Sequence, residues 1–459
     1  MGSRTHEAGV ARLLESYAAI PPDAPVRLAK RTSNLFRPRT AAPTQGLDES
    51  GLDGVLEIDP VNRTADVQGM CTYERLVDAT LDHGLMPLVV PQLRTITLGG
   101  AVSGLGIEST SFRNGLPHES VLELDILTGA GDIVTARPDG EHADLFETFP
   151  NSYGSLGYAT RLRIQLEPIA PYVALTHVRL DTLDDLAQTI ADVVDQRAFA
   201  GAPVDFVDGV AFSPDEAYLT LGRGVDEVSK TSDYTGAGIY YRSIAERPTD
   251  SLTSHDYLWR WDTDWFWCSQ AFGAQHPVIR RMWPARYRRS DVYHRLVGLE
   301  DHWHLAARLD RMRGRPARER VVQDVEVPVG RLADFLRWFD AKVGMRPVWL
   351  CPLRLREPGG PGSARTWPAY PLRPGETYVN VGFWGTVPIA ADARDGDVNR
   401  AIEAAVASHD GHKSLYSDTY YDEPTFDRLY GGASRVAVQR RYDPDQRLTG
   451  LYEKVVARP

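Results

Sequence analysis

An α+β protein of two or more domains is what this sequence predicts, and three observations carry that expectation. The chain has 459 residues, enough for two or three domains at roughly 100–200 residues each. Strand-like and helix-like stretches mix through residues 20–170 without the regular alternation that builds a parallel βαβ sheet. Near residue 171 the character changes, and residues 253–290 become dense in aromatics and arginines. The expected division is 1–170, 171–400 and a C-terminal segment 401–459.

The elements follow in chain order. EAGVARLLESYAA at 7–19 has the spacing of a short amphipathic helix. VRLA predicts a strand and KRTSN a polar turn after it. LDGVLEIDPVNRTADVQGM predicts two strands around a turn at Asp59–Asn62. TYERLVDATLDHGL predicts a helix ended by Gly84. PLVV opens a strand that runs into a glycine-rich stretch. SVLELDILTGAGDIVTA predicts two strands joined at Gly129–Asp132. DLFETFPNSYGSLGYATRLRIQLEPI predicts a helix start, a glycine turn and a long alternating strand. Further on, 183–197 reads as a helix, 323–355 as strand, helix and strand, and PGGPGSAR at 358–365 as a loop. ETYVNVGFWG reads as a strand and 400–409 as a helix. Asp422 or Thr425 is placed to cap a helix over FDRLYG.

Composition narrows the function classes. A formal net charge of −11 argues against nucleic acid as a partner, because phosphates need a basic face. Cys71, Cys268 and Cys351 are too few and too scattered for a disulfide framework or a zinc site. They suit a reducing cytoplasm. Met1–Val10 has no apolar core, so no signal peptide is expected. No window reaches 18 uninterrupted apolar residues, so no membrane span is expected either. Lysine occurs at five positions and arginine supplies the other 46 of 51 basic residues, a bias typical of GC-rich bacterial genes.

Residues 91–118, PQLRTITLGGAVSGLGIESTSFRNGLPH, hold Gly99, Gly100, Gly104, Gly106 and Gly115 within 17 residues. Glycine lets backbone approach a ligand closely, and successive N–H groups can cradle a pyrophosphate. The same run also reads as tight turns in a β-rich domain. No G-x-G-x-x-G lies between a strand and a helix, so a nicotinamide Rossmann domain is not visible.

VVPQLRTITLGGAVSGLGIESTSFRNGL, LELDILTGAGDIVTA and DLFETFPNSYGSLGYATRLRIQLEP together resemble the FAD-binding core of the vanillyl-alcohol-oxidase, or PCMH-type, flavoproteins. Within that family the chain resembles the Δ24-sterol reductase branch. YLWRWDTDWFW, VVQDVEVPV, RPVWLCPLRL, YVNVGFWG and LYSDTYYDEPTFDRLY extend the resemblance from about residue 25 to the C-terminus. It implies a PCMH-type FAD-binding domain of two α+β subdomains, a cap domain with an antiparallel sheet, and a final segment that returns to the flavin. It departs in one respect: the N-terminal membrane segment of the sterol reductases has no counterpart here, which puts a membrane-resident sterol in doubt.

The resemblance assigns cofactor contacts. Arg31, Thr32, Ser33 and Asn34 would hold the pyrophosphate. Pro91, Thr97, Gly99, Gly100, Ser103, Gly104, Ile107, Glu108, Ser109 and Ser111 would line the flavin, with Ile133 on the adenine side. Thr97 reads equally as a strand residue and Ile133 as core. KRTSNLF offers no histidine or cysteine for a covalent tether, so FAD is expected to be non-covalent. His118 is the remaining tether candidate. Lys413, Tyr416, Asp418 and Tyr420 are candidates for the active-site wall.

The branch implies reduction of a C=C bond, with NADPH as donor or a partner reductase in its place. An isolated alkene accepts hydride poorly, so protonation at the less substituted carbon comes first and hydride quenches the tertiary cation. That chemistry needs a general acid and a water-poor pocket. Glu108 is one candidate acid, and Tyr416, Asp418 and His118 are its rivals. Actinobacterial enzymes that reduce a 10-methylene acyl chain to a 10-methyl chain resemble this branch and match the composition. The leading expectation is therefore a phospholipid-bound acyl substrate at the membrane surface, made by an acyl-chain methyltransferase partner. The protein would be cytoplasmic, or peripheral at the inner face of the membrane. The nine aromatics of residues 257–291 and Arg280, Arg281, Arg286, Arg288 and Arg289 suit a lipid–water interface. They also suit a cap core with a solvated basic face. A Δ24-sterol-type reductase and an alcohol or sugar oxidase are the alternatives.

Overall fold

The computed structural model describes residues 2–29, 36, 46–303 and 316–456. Its chain builds two antiparallel sheets in sequence. The first uses β1 (Val55–Asp59), β2 (Thr64–Gln68), β3 (Leu85–Pro87), β4 (Val121–Leu127), β5 (Ile133–Ala136) and β6 (Tyr158–Pro168). Its order is β1-β2-β6-β4-β5, with β3 on the far end of β6. β6 is central because its alternating ATRLRIQL buries Ala159, Leu162, Ile164 and Leu166 in the first core.

After Pro168 the chain crosses to the second sheet at β7 (Tyr172–Leu180). A small hairpin of β8 (Ala198–Phe199) and β9 (Ala202–Pro203) follows. Then come β10 (Phe206–Ser213), β11 (Glu216–Val225), β12 (Thr249–Thr253), β13 (Arg318–Pro328), β14 (Val348–Leu353), β15 (Tyr378–Pro388) and β16 (His412–Lys413). The eight strands run β12-β7-β11-β10-β14-β15-β13-β16. Helices Leu183–Gln196, Leu332–Lys342 and Asp397–Ser408 lie on one face of this sheet, and the whole is an α+β fold.

The two faces of the second sheet differ in kind. Val207, Leu219, Leu350, Val381, Val325 and Val327 turn to one side and pack with the apolar stripes of helices Leu183–Gln196, Leu332–Lys342 and Asp397–Ser408. The alternate residues turn to the first domain. They include Asp208, Trp349, Cys351, Asn380, Gly382, Trp384, Asp324, Glu326 and His412, as the registers Val210↔Trp349, Cys351↔Asn380, Gly382↔Asp324 and Glu326↔His412 require.

Helix Leu98–Ser103 is seated by close backbone approach. Gly99 donates to the Gly69 carbonyl at 2.9 Å, and a Cβ on Gly99 would stand 2.7 Å from that oxygen. A Cβ on Gly69 would collide with the Ala159 carbonyl. These two glycines thus serve packing.

Two expectations need correction. VRLA is no strand: Val26 and Leu28 each make one isolated bridge, to Leu448 and Leu47, so no ladder propagates. The glycine-rich run is not all turn, because Thr97 caps Gly100 N at 3.2 Å and starts a helix. The end of the chain returns to the first domain. Helix Gly432–Tyr442 packs on helix Ala143–Thr148, Tyr442 OH lies 2.8 Å from His142 Nδ1, and Arg447 donates to the Ile20 and Pro21 carbonyls. Among the described residues no helix is long and apolar enough to cross a membrane, and no metal-ligand cluster occurs.

Candidate functional site

Three polar groupings meet between the sheets. The first is the turn Asn151–Gly157, which carries positive φ at Asn151, Tyr153, Gly154 and Gly157. Such backbone is costly for non-glycine residues and persists when its surroundings hold it. Here Tyr153 N donates to Ser103 O at 2.6 Å, and its ring lies 3.4 Å from where a Cβ on Gly104 would stand. The turn is thereby pinned to the glycine-rich helix. Asn151 Nδ2 and Oδ1, Ser152 Oγ and Ser155 Oγ are buried with no protein partner. Buried polar atoms left unpaired cost free energy, so this cluster fits a polar ligand such as FAD. From the sequence alone PNSYGSLG reads as a glycine turn. Its signal was a set of small polar residues around glycines.

The second grouping is a buried ionic knot. Arg260 Nη2 contacts Glu108 Oε1 at 2.6 Å and Asp208 Oδ2 at 2.7 Å, and all three side chains are at most 2% exposed. Trp261 Nε1 donates to the same Asp208 oxygen at 2.8 Å. Gln92 Nε2 reaches Glu108 Oε2 at 3.2 Å, and Tyr257 OH donates to Ser109 Oγ at 2.9 Å. One guanidinium thus faces two carboxylates, one from each domain. Burial pushes the Glu108 carboxyl up to about 7 against the pull of Arg260. Arg260 stays charged, because Asp208 and Glu108 raise it well above its usual range.

The third lies on the inward face of the second sheet. Asp324 accepts from Asn380 Nδ2 at 3.1 Å and is hydrogen-bonded to Tyr416. Trp384 Nε1 donates to Tyr416 OH at 2.8 Å. Gly382, opposite Asp324, leaves the space: its Cβ would stand 2.5 Å from Asp324 Oδ1 and 2.6 Å from the Trp384 ring. Burial pushes Asp324 up to about 7. Two residues on, Glu326 bonds Tyr370 and Ser414 and is pushed up to about 8. A layer of rings joins this grouping to the ionic knot: Trp261 stacks on Phe266 at 4.9 Å, and Phe266 meets Trp384 at 4.3 Å and Trp349 at 5.4 Å.

Glu326 yields a pH prediction. Its folded-state value lies above the ordinary 4.5 of the unfolded chain, so the fold favours the protonated form. The stability this contributes is full below about 4.5 and is lost as pH rises through about 8. Over that window one such group is worth on the order of a few kcal/mol. The unfolding midpoint should fall from pH 5 to 9, and Glu326→Gln should flatten that slope, as read by thermal melts.

The remaining expected site residues fall as follows. Arg31, Thr32, Ser33 and Asn34 lie outside the described residues. Pro91 is buried and packs beside Gly106. Gly100 and Gly104 sit at the start and end of helix Leu98–Ser103, Ile107 is buried, and Ser111 Oγ accepts from Glu108 N at 3.1 Å. Ile133 packs with the N-terminal cluster of Leu13, Val26 and Leu127. His118 is buried edge-on to Trp367 at 4.5 Å with both ring nitrogens unpartnered, and burial lowers it to about 3, so it is neutral. Asp418 turns its carboxylate to Arg320 at 3.5 Å. Lys413 Nζ is held by Glu403 at 2.6 Å and by the Asp418 carbonyl at 2.7 Å. Tyr420 N donates to the same Glu403. Asp422 is the helix cap, with Oδ1 accepting from Thr425 N at 2.8 Å.

Of these residues the structure therefore brings together Glu108, Ser109 and Ser111, and separately Tyr416. Gln92, Asp208, Arg260, Asp324 and Glu326 join them without having been singled out. Acids inside an apolar strand and an arginine inside an aromatic run were the available signals.

Comparisons with known proteins give these similarities. A family described as FAD binding domain matches residues 16–137. The chain is 24% identical over 439 residues to a Delta(24)-sterol reductase of Arabidopsis thaliana, covering 87% of this chain and 74% of that one. It is 25% identical over 418 residues to the Delta(24)-sterol reductase of Homo sapiens, covering 87% and 76%. It is 35% identical over 144 residues to Cytokinin dehydrogenase 6 of Oryza sativa subsp. japonica, covering 31% and 27%.

Proposed function

We propose, from the premise that this chain is an FAD-dependent oxidoreductase of the Δ24-sterol reductase-like branch, that it reduces a carbon–carbon double bond on a lipid. The substrate proposed is the 10-methylene group of a phospholipid-bound acyl chain, with NADPH as electron donor and an acyl-chain methyltransferase supplying the alkene. The observation that carries the reading is the Asp324–Tyr416 pair set in a layer of aromatic rings. It joins a held proton to apolar walls.

The turn Asn151–Gly157 and the glycine-rich helix would hold FAD, which when bound would supply the hydride. The protein's own residues handle the proton. Burial pushes the Asp324 carboxyl up to about 7, so it holds its proton below neutrality and exchanges it near pH 7. Tyr416 OH, bonded to it, hands a proton to the less substituted alkene carbon and recovers one from Asp324. The packed rings of Trp261, Phe266 and Trp384 exclude the water that would trap the developing cation. Glu108 is engaged by Arg260 at 2.6 Å and by Gln92, so it is assigned to the ionic knot rather than to the acid role.

The test is lipid analysis of an oleate-containing host carrying this chain with the methyltransferase. Saturated mid-chain methyl branches are expected when both are present, and accumulated methylene chains would refute the reading. The 87% coverage by sterol reductases favours a second reading, a sterol side-chain alkene, tested by offering a Δ24 sterol. An alcohol or sugar oxidase would leave the flavin unbleached by NADPH without oxygen.

A further inference from the structure

Five large apolar side chains stand exposed among the described residues, and four of them fall within ten residues: Val278 at 61%, Ile279 at 41%, Met282 at 79% and Tyr287 at 45%. Val278 and Met282 share one side of helix Pro277–Met282 at i, i+4 spacing, with Ile279 beside them. A cluster of this kind on a surface is uncommon unless something covers it.

The surrounding charge is equally one-sided. Between Asp264 and Asp291 the chain has no acidic residue and five arginines, in a protein of net charge −11. Arg281 and Arg286 are exposed, with Arg286 over the Tyr287 ring at 4.8 Å. Asp233 faces Arg288 from the neighbouring loop.

The projection is rigid. Arg280 is 3% exposed, grips Asp264 with both terminal nitrogens at 2.7 and 3.0 Å, and donates to the Tyr234 and Gly236 carbonyls at 3.1 Å. Arg288 donates to the carbonyls of Thr235, Gly236, Arg280 and Trp283. Trp283 Nε1 closes the loop on Tyr287 O at 3.1 Å. Apolar tips held in place by buried arginines, with free arginines at their rim, match an anionic bilayer: side chains enter the acyl boundary while guanidinium groups meet phosphates. In the chain the segment follows Phe266 of the aromatic layer, with the short helical turn Cys268–Phe272 between them.

We infer that residues 277–287 dock the protein onto an anionic lipid surface. The choice of a bilayer as partner rests on the lipid-substrate reading above. The test uses the FAD-loaded full chain and vesicles of phosphatidylcholine with or without phosphatidylglycerol. Sedimentation with the anionic vesicles is expected, weakening as salt rises. Ile279→Asp with Met282→Asp should lower that binding by about ten-fold or more, with flavin content and melting temperature unchanged. Arg281→Glu with Arg286→Glu should remove most of the preference for phosphatidylglycerol. Wild-type absence from anionic vesicles would overturn the inference. So would unchanged binding by the Asp variant, or a lipid-free dimer that this variant splits. Reduction of a detergent-dispersed alkene is read separately: activity there without vesicle binding sinks the docking alone, and binding without any alkene reduction sinks the lipid-reductase reading.

Discussion

Arg260→Met is expected to destabilise the protein by about 3–5 kcal/mol, the range for removing one partner of a buried ion pair, and to lose most folded protein at growth temperature. Two carboxylates at most 2% exposed would be left facing each other without a cation. One of them belongs to the first domain and one to the second sheet, so their repulsion acts across the domain contact. Native proteins hold only about 5–15 kcal/mol in reserve, so the loss is a large share. Denaturant titration measures it. The combined Arg260→Met, Glu108→Gln, Asp208→Asn variant should recover most of the loss, because neutral side chains need no counter-ion. If the single variant is as stable as the parent, the knot is not the ionic element described.

Lys413→Met should cost a similar amount, about 3–5 kcal/mol, with a different consequence. Its ammonium is fully buried, and Glu403 is 3% exposed. The bond ties strand β16 to helix Asp397–Ser408 and, through the Asp418 carbonyl, fixes the turn that carries Tyr416. Breaking it should free residues 413–422 to proteolysis and alter the absorbance band of bound flavin, since Tyr416 would lose its bond from Trp384. Lys413→Met with Glu403→Gln should restore much of the stability. Limited digestion followed by mass analysis locates the cut.

Much of the fold was legible. The two strands around Asp59–Asn62, the helix ended by Gly84 and the strand pair joined at Gly129–Asp132 all depend on local periodicity and turn chemistry, and each forms where expected. The hairpin β10–β11 was equally visible in the alternation of FVDGVAFS and EAYLTLG but was not singled out. VRLA failed for a physical reason: its partners, Leu47 and Leu448, lie far off in sequence. The site was less legible than the fold. Glu108 stands out through its glycine-rich neighbours, but Arg260 and Asp208, 152 and 100 residues further along the chain, meet it only in three dimensions. Asp324 and Tyr416 are likewise brought together by strand order, which no local pattern contains.

The two-faced second sheet separates two kinds of mutational tolerance. Along β13 and β15 one set of alternate positions is wedged against helices, where a change of a single methylene is felt. The other set looks inward, onto the face proposed to meet the substrate. On that proposal selectivity can be redesigned at every second residue while the scaffold behind stays intact, much as a lock can be re-keyed without recasting its housing.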